Sequence, residues 1–508
     1  MKRTAMTSRA ARLLCLAAAV VFLLAALPAC GNAGGDSPTV PASPEISAFS
    51  SEEEAKKAIG GLQKTSFESW MYESEDVLAF ELACTEAVRY VRRNTEDEDY
   101  LEKSYELYKK LLETKESVRL RTGDVPRVYV VCRSEIGREE YVGCSVAFAD
   151  AEGGTGSFRD DGAKIRVRGN STAEAEKKPY NVKLSSDRGV FGMASGSKWA
   201  MLANHFDKSL LRNKVALDLA LEAGCWAALD SRYAEVYLNG KFLGSYLVCE
   251  PVTDGKNRAD VNTGEGEFLV ERVKNWAEET ETAFYTSSLG LRFDVNASDG
   301  WNDRVARIVD EAEKAILSGD EAAIRACVDV ESFVTMYVVQ EIVKDCDLFY
   351  GNCHLCYSGG LLRCGPMWDM DLSMGNASAK SKEEKYLIYN NVSPFGDGGG
   401  DSAAGTWADA EWFGELMKTS FFRELAVNRF AELEPLLAHL YEDGGVIDGI
   451  VETYGVSFER NYADAGWSIA ERASPYETRA RFSSHGDAVR DLKDWLRRRH
   501  AYLKTVFR

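Results

Sequence analysis

Positive charge is scarce in this chain, which has 61 Lys and Arg residues against 80 Asp and Glu and a net charge of −19. A protein this acidic is not expected to bind nucleic acid or to dock on anionic lipid. The charge would suit a basic protein partner, although solubility alone explains it equally well. The apolar content of 45% is ample for a packed core.

Long apolar runs are absent after the first thirty residues, so no later segment is expected to span a bilayer. Within residues 1–30, a basic head precedes a short apolar run, which is typical of a signal peptide. The run ends at Leu27-Pro28-Ala29-Cys30, which resembles the bacterial lipobox whose Cys is lipidated. A plain signal peptide or an uncleaved anchor is the alternative.

The lipobox interpretation predicts a protein anchored by lipid at Cys30 to the extracytoplasmic face of the cell membrane. Removing residues 1–29 would take away four basic residues and lower the net charge from −19 to −23. Residues 31–50 are rich in Gly, Ser and Pro and predict a flexible tether.

Proline is absent from residues 51–121, where apolar residues recur at helical spacing. This predicts a small helical segment over 51–122, which serves packing or spacing. A main domain follows over 126–508. Its front half, about 127–295, is rich in alternating β-type runs, and Asn239-Gly240 predicts a hairpin turn.

Helical periodicity dominates the back half of the main domain. The sequence predicts helices there over 305–317, 324–343, 413–440 and 488–506, and one helix within the front half over 209–223. A β-rich half followed by a helical half predicts an α+β fold with the plan of a protein kinase, in which nucleotide lies between the two halves.

The segment 345–376 carries the strongest chemical signal. Asp347 is followed five positions later by Asn352, and Asp369 and Asp371 follow a Gly-containing turn. Kinases place an Asp for the attacking hydroxyl, an Asn five residues later for a metal ion, and a second metal-binding Asp after a hairpin. The usual His-Arg and Phe-Gly neighbours are missing, and a pair of acidic turns is the alternative interpretation.

Cysteine is frequent near this segment. Ten Cys residues remain once Cys15 and Cys30 are set aside, and an exported protein could oxidise them in pairs. Cys353 and Cys356 have the spacing of zinc ligands, so a structural zinc site is one hypothesis. If this segment forms a hairpin, the cysteines would instead occupy alternating positions on its strands or form disulfides.

Several further motifs, taken together in this order, resemble the CotH kinase family over about residues 126–499. They are Arg168-Gly169-Asn170-Ser171, Lys177-Lys178-Pro179-Tyr180, Lys198-Trp199, Leu202-Ala203-Asn204, Asp207-Lys208-Ser209, Arg212-Asn213, Val236-Tyr237-Leu238-Asn239-Gly240, Gly244-Ser245-Tyr246 and Glu250. The resemblance implies an atypical kinase fold and phosphorylation of proteins with ATP and Mg²⁺ or Mn²⁺.

Basic residues of the β-rich half are candidates for phosphate binding. Lys183 closes an alternating strand, where a kinase places its phosphate-binding Lys; a solvent-facing Lys is the alternative. Arg168 and Lys178 are competing cations. Either Glu222 or Glu250 could pair with Lys183, as a helix Glu does in kinases.

The acidic segment supplies the remaining candidates. Asp347 would orient the substrate hydroxyl, and Asp345 is the alternative residue for this role. Asn352 and Asp369 would hold Mg²⁺ through oxygen ligands, and Asp371 could be a second acidic ligand.

The sequence therefore predicts an ATP-dependent protein (Ser/Thr) kinase that acts on extracytoplasmic or cell-surface proteins, with basic proteins rich in Ser or Thr as the expected substrates. A non-catalytic surface adhesin with the same fold is the main alternative. A hydrolase that uses Asp347 and Asp369 as paired carboxylates is a further one.

Overall fold

The computed structural model describes residues 48–508 except 153, 256, 260, 274–279, 301–302, 346–347, 349–350, 378–383, 386, 389–410 and 479. The described residues divide into two compact units, one formed by residues 48–65 and 81–114 and the other by the described residues of 66–80 and 115–508.

The first unit is helical in its described part. It contains helix α1 (Glu52–Leu62), most of α2 (Ser74–Arg93) and nearly all of α3 (Tyr100–Glu116). The ring of Tyr100 stacks on Tyr90 at 5.9 Å, and its hydroxyl donates to the backbone O of Val91 at 3.0 Å. These contacts join α2 to α3.

The second unit begins with a nine-stranded sheet in the order β2-β5-β6-β7-β9-β8-β1-β3-β4. Its strands are β1 (Arg127–Val131), β2 (Val142–Gly143), β3 (Ser145–Ala149), β4 (Phe158–Asp160), β5 (Lys164–Val167), β6 (Tyr180–Arg188), β7 (Gly196–Leu202), β8 (Ser231–Leu238) and β9 (Lys241–Cys249). The predicted turn between β8 and β9 forms with positive φ at both Asn239 and Gly240, as a tight hairpin requires.

A second sheet of five strands has the order β11-β12-β10-β13-β14. These strands are β10 (Phe268–Arg272), β11 (Ala283–Tyr285), β12 (Arg292–Ala297), β13 (Cys353–Ser358) and β14 (Leu361–Met367). Its last two strands, β13 and β14, belong to the segment 345–376, which carries the strongest chemical signal in the sequence.

The helices of the second unit are α4 (Arg212–Glu222), α5 (Asp303–Ser318), α6 (Glu321–Cys327), α7 (Val330–Val343), α8 (Glu411–Lys418), α9 (Ser420–Tyr441), α10 (Val446–Ala463) and α11 (His485–Val506). The β-rich first half and helical second half confirm the predicted α+β architecture. The prediction of one helix over 324–343 is wrong, because Val328 is extended and the side chain of Asp329 caps a new helix by accepting from Ser332 N at 3.0 Å. The prediction of one helix over 413–440 is also wrong, because the extended backbone of Thr419 separates α8 from α9.

Helix α7 leads directly to the candidate site. It is buried along nearly its whole length and ends at Lys344, whose φ of +51° places it in the left-handed region. A buried ion pair of 2.7 Å between Glu341 of α7 and Arg499 of α11 fixes the end of the helix. Lys344 and Asp345, the described residues directly after α7, are both buried.

Candidate active site

The hairpin β13–β14 brings two distant polar residues together. Asn352 lies directly before β13 and Asp369 after β14, and the residues that close the hairpin, Cys353 and Met367, are paired. Nδ2 of Asn352 donates to the backbone O of Asp369 at 3.0 Å and to Oδ2 of Asp345 at 3.3 Å. Because both bonds use the amide nitrogen, Oδ1 of Asn352 is the atom suited to bind a cation.

The backbone at Asp369 is held in a left-handed conformation, with φ of +61°. The next peptide N–H, that of Met370, donates to Oδ1 of buried Asn213 at 2.7 Å. Burial raises the pKa of the Asp369 carboxyl, and the nearby Arg168 and His354 oppose the rise. The site thus holds a carboxylate that benefits from a bound cation.

A buried Arg supports the turn after Asp369. Nη1 of Arg212 lies 2.6 Å from Oδ1 of Asp207, and its Nε and Nη2 donate to the backbone O atoms of Ser373 at 3.1 Å and Met374 at 3.2 Å. Arg212 and Asn213 open helix α4, so the start of this helix positions the acidic turn.

Asp371 lies in the same turn and is 7% exposed. Nδ2 of Asn376 donates to the backbone O of Asp371 at 2.7 Å and to that of Phe206 at 2.9 Å. Asp371 and Asp369 both line the same cleft.

This cleft has a volume of about 1150 Å³ and two chemically different walls. The basic side chains belong to the first sheet and the loop after β5, whereas all the acidic side chains belong to the second sheet and the turn after its hairpin. The basic ones are Arg166, Arg168 and Lys198, and the others include Glu271, Asn296, Asn352, Asp369 and Asp371. Arg168 stacks on Trp368 at 4.8 Å, which places its guanidinium beside the acidic turn.

A short loop after β5 completes the basic wall. Gly169 has φ of +89°, and a Cβ there would lie 2.0 Å from Oγ1 of Thr172, so only glycine fits. Nη2 of Arg138 donates to Oδ1 of Asn170 at 2.8 Å. Lys178 donates to the backbone O of Ala173 at 2.7 Å and so stabilises the loop. Lys178 does not line the cleft.

The sequence model of the family described as CotH kinase protein matches residues 165–503. The chain belongs to the CotH kinase family. A search of curated proteins found no match. Membership shows a kinase-like domain, and such domains in general use ATP and a divalent metal ion.

The CotH motif Lys198-Trp199 contributes a cleft residue that the sequence did not single out for phosphate binding. Lys183 is exposed and pairs in register with Lys198 on the next strand, so the two side chains share a face. Lys198 lines the cleft, whereas Lys183 does not. Glu222 is exposed at the end of α4, and among the described ion pairs none joins it to Lys183.

Glu250 does not line the cleft of this CotH kinase domain. Glu250 borders a separate cavity of about 460 Å³. Its Oε1 accepts from Arg258 at 3.0 Å and its Oε2 from the backbone N of Asp230 at 3.0 Å, while burial raises its pKa. The three residues after it, 251–253, do line the cleft.

Two predicted residues, Asp347 and Cys30, lie outside the described residues. Asp345 is described and is 1% exposed, with its carboxylate bonded to Asn352. This bond gives Asp345 a supporting part in the turn that precedes β13.

The described cysteines near the site are free thiols. Cys353 and Cys364 pack in the main core, and Cys356 packs in a different apolar cluster, where burial raises its pKa to about 12. Within the described ranges, no three His, Cys, Asp or Glu side chains are grouped to hold a metal ion. The arrangement of these cysteines fits strand positions.

Helices long and apolar enough to cross a membrane are absent from the described part of the chain.

Several cleft residues were not identified from the sequence, because each of them carries only a weak signal by itself. Glu271, Asn296 and His354 lie on three adjacent strands of the second sheet, and only the pairing of those strands brings them together. Arg212 and Asn213 belong to a family motif, but nothing in the sequence connects that motif to Asp369.

Proposed function

We propose that this chain is an ATP-dependent protein kinase that transfers the γ-phosphoryl group to Ser or Thr hydroxyls. The observation that carries the proposal is the opposition, in one cleft, of three basic side chains on the first sheet and the Asn352–Asp369 pair on the hairpin. A triphosphate needs the basic wall, and its metal ion needs the oxygen ligands.

The basic wall would bind the phosphate oxygens. Arg168 lies beside the acidic turn, since it stacks on Trp368 and opposes the rise that burial causes in the pKa of Asp369. Lys198 and Arg166 extend the positive surface along the same sheet. Each can form charge-assisted hydrogen bonds with phosphate.

The donor set fits a hard divalent cation. Oδ1 of Asn352 and the carboxylate of Asp369 are oxygen atoms, and burial makes a nearby cation favourable for Asp369. Magnesium sites in such enzymes use one or two protein carboxylates together with phosphates and water, so a third protein ligand is not required. Mg²⁺ or Mn²⁺ would neutralise charge on the phosphates when bound.

Asp347 is proposed as the residue that orients the attacking hydroxyl. Asp345 is buried and bonded to Asn352, which suits a supporting residue better than one that meets a protein substrate. Positioning by Asp347 would matter more than its basicity, because an ordinary Asp is a weak base.

The proposal extends to the substrate and to the location of the protein. The net charge of −19 favours a basic protein substrate, such as one rich in Ser or Thr and Lys or Arg. The lipobox-like segment at Cys30 favours attachment by lipid to the extracytoplasmic face of the membrane, where cell-surface proteins would be phosphorylated.

Transfer of radiolabelled γ-phosphate to a basic, Ser-rich protein tests the activity. The wild-type protein should label this substrate with ATP and Mg²⁺ or Mn²⁺, whereas Asp347→Ala and Asn352→Ala should not. Arg133→Ala, on a residue that does not line the cleft, is the control. Equal labelling by wild type and both variants would contradict the proposed sites, and no labelling together with no nucleotide binding would favour a non-catalytic surface module.

A further inference from the structure

The second sheet forms a polar surface in the cleft that phosphate and metal binding do not use. Glu271 on β10 is paired in register with His354 on β13, so their side chains share a face of the sheet. Asn296 on β12 joins them and lines the same cleft.

The carboxylate of Glu271 is held in place at one oxygen. Nδ2 of Asn296 donates to its Oε2 at 3.1 Å. The other oxygen, Oε1, faces the turn before β13, where a Cβ on Gly351 would lie only 3.3 Å away. No described residue donates a hydrogen bond to Oε1.

His354 is the neighbour of Glu271 on this surface. It is 4% exposed and lines the cleft, so it forms part of the wall beside the carboxylate.

The charge of Glu271 limits what this ligand can be. A carboxylate only accepts hydrogen bonds, and it repels phosphate groups. Its partner within a nucleotide must therefore be a neutral donor. The ribose hydroxyls are such donors, and Gly351 adjoins Asn352, so the surface lies beside the end of the cleft where the phosphates would bind.

We propose that Glu271, fixed by Asn296 and flanked by His354, binds the ribose hydroxyls of the nucleotide and makes the protein select ribonucleotides over deoxyribonucleotides. The inference rests on the proposed function, because it places a nucleotide in the cleft. It adds a specificity-determining contact to that function.

Calorimetric titration of the full chain with ATP and with 2′-deoxy-ATP, each with Mn²⁺, tests this directly. The wild type should bind ATP roughly 10- to 100-fold more tightly, the range for a hydrogen bond to a charged group. Glu271→Gln should lose most of this preference. Asn296→Ala, a substitution at an exposed residue, should lose part of it. Asp299→Asn removes an acid close to Asn296 that does not line the cleft, and it should retain the preference.

The possible failures are distinguishable. Absence of ATP binding by the wild type would overturn the proposed function and the ribose contact with it. Equal binding of both nucleotides by the wild type, or an unchanged preference in Glu271→Gln, would overturn the ribose contact alone. A folded Glu271→Gln protein with normal nucleotide affinity and a raised KM for the protein substrate would also overturn it and assign Glu271 to that substrate.

Discussion

Nδ2 of Asn352 donates to the backbone O of Asp369 at 3.0 Å, across 17 positions of sequence. The hairpin between them closes this distance, because its end residues pair. An amide oxygen and a carboxylate thereby reach the same part of the cleft, and this relationship makes the kinase interpretation a testable one.

Replacing Asp369 with Asn should separate function from stability. Because burial raises the pKa of this carboxyl, its charge opposes folding at neutral pH, and Asp369→Asn should have an equal or higher melting temperature without ligand. Phosphoryl transfer should fall by about 100-fold or more, since the metal supplies several kcal/mol of transition-state stabilisation. Differential scanning calorimetry and a transfer assay measure the two effects.

Asp187→Asn is the control for that experiment, because Asp187 is exposed and does not line the cleft. It should leave both quantities unchanged. Full activity in Asp369→Asn would remove Asp369 from the metal site.

Lys198 and Lys183 form a matched pair, since they are adjacent in register and carry the same charge. Lys198→Ala should weaken ATP binding by about tenfold, as expected for the loss of one charge-assisted contact. Lys183→Ala should have little effect, because only Lys198 lines the cleft. Fluorescence titration with a labelled nucleotide measures both affinities, and the reverse order would restore the assignment made from the sequence.

Asn213 should position the acidic turn. Asn213→Ala leaves the N–H of Met370 without its partner and should lower the free energy of unfolding by about 1–3 kcal/mol. It should also weaken binding of Mn²⁺ with nucleotide, measured by electron paramagnetic resonance.

The matched control for Asn213 is Asn461→Ala. Asn461 is also buried and accepts from Lys177 Nζ at 2.8 Å, and it does not line the cleft. It should lose comparable stability and keep its Mn²⁺ affinity. If both variants bind Mn²⁺ equally well, Asn213 has only a structural part.

Glu477 should make stability depend on pH. It is 2% exposed, and burial raises its pKa to about 7. The folded state therefore binds a proton that the unfolded state releases near pH 4.3, so this group lowers the free energy of unfolding as pH rises from about 4.3 to about 7. Glu477→Gln should be more stable than wild type at pH 8 by about 1–3 kcal/mol.

Urea unfolding at pH 5 and pH 8 measures the effect of Glu477→Gln. The gain over wild type should be smaller at pH 5, where the native carboxyl is still protonated. A gain that is the same at both values would show that the pKa of Glu477 is ordinary.

The sequence alone determined much of the fold. Period-two alternation and Asn239-Gly240 predicted the β8–β9 hairpin, because these patterns encode local backbone geometry. Apolar spacing predicted most helices of the second half, but it did not show the break at Asp329, since the apolar residues continue across it.

The spacing of Asn352 and Asp369 likewise predicted their neighbourhood, since a hairpin must bring its ends together. The sequence did not determine which cation lines the cleft: Lys183 and Lys198 share a face of the first sheet, but Lys198 lines the cleft and Lys183 does not. Tertiary structure also decided that Asn213 supports Met370 and that Glu271 lies near Gly351. Such contacts join residues far apart in the chain, and local patterns carry no information about them.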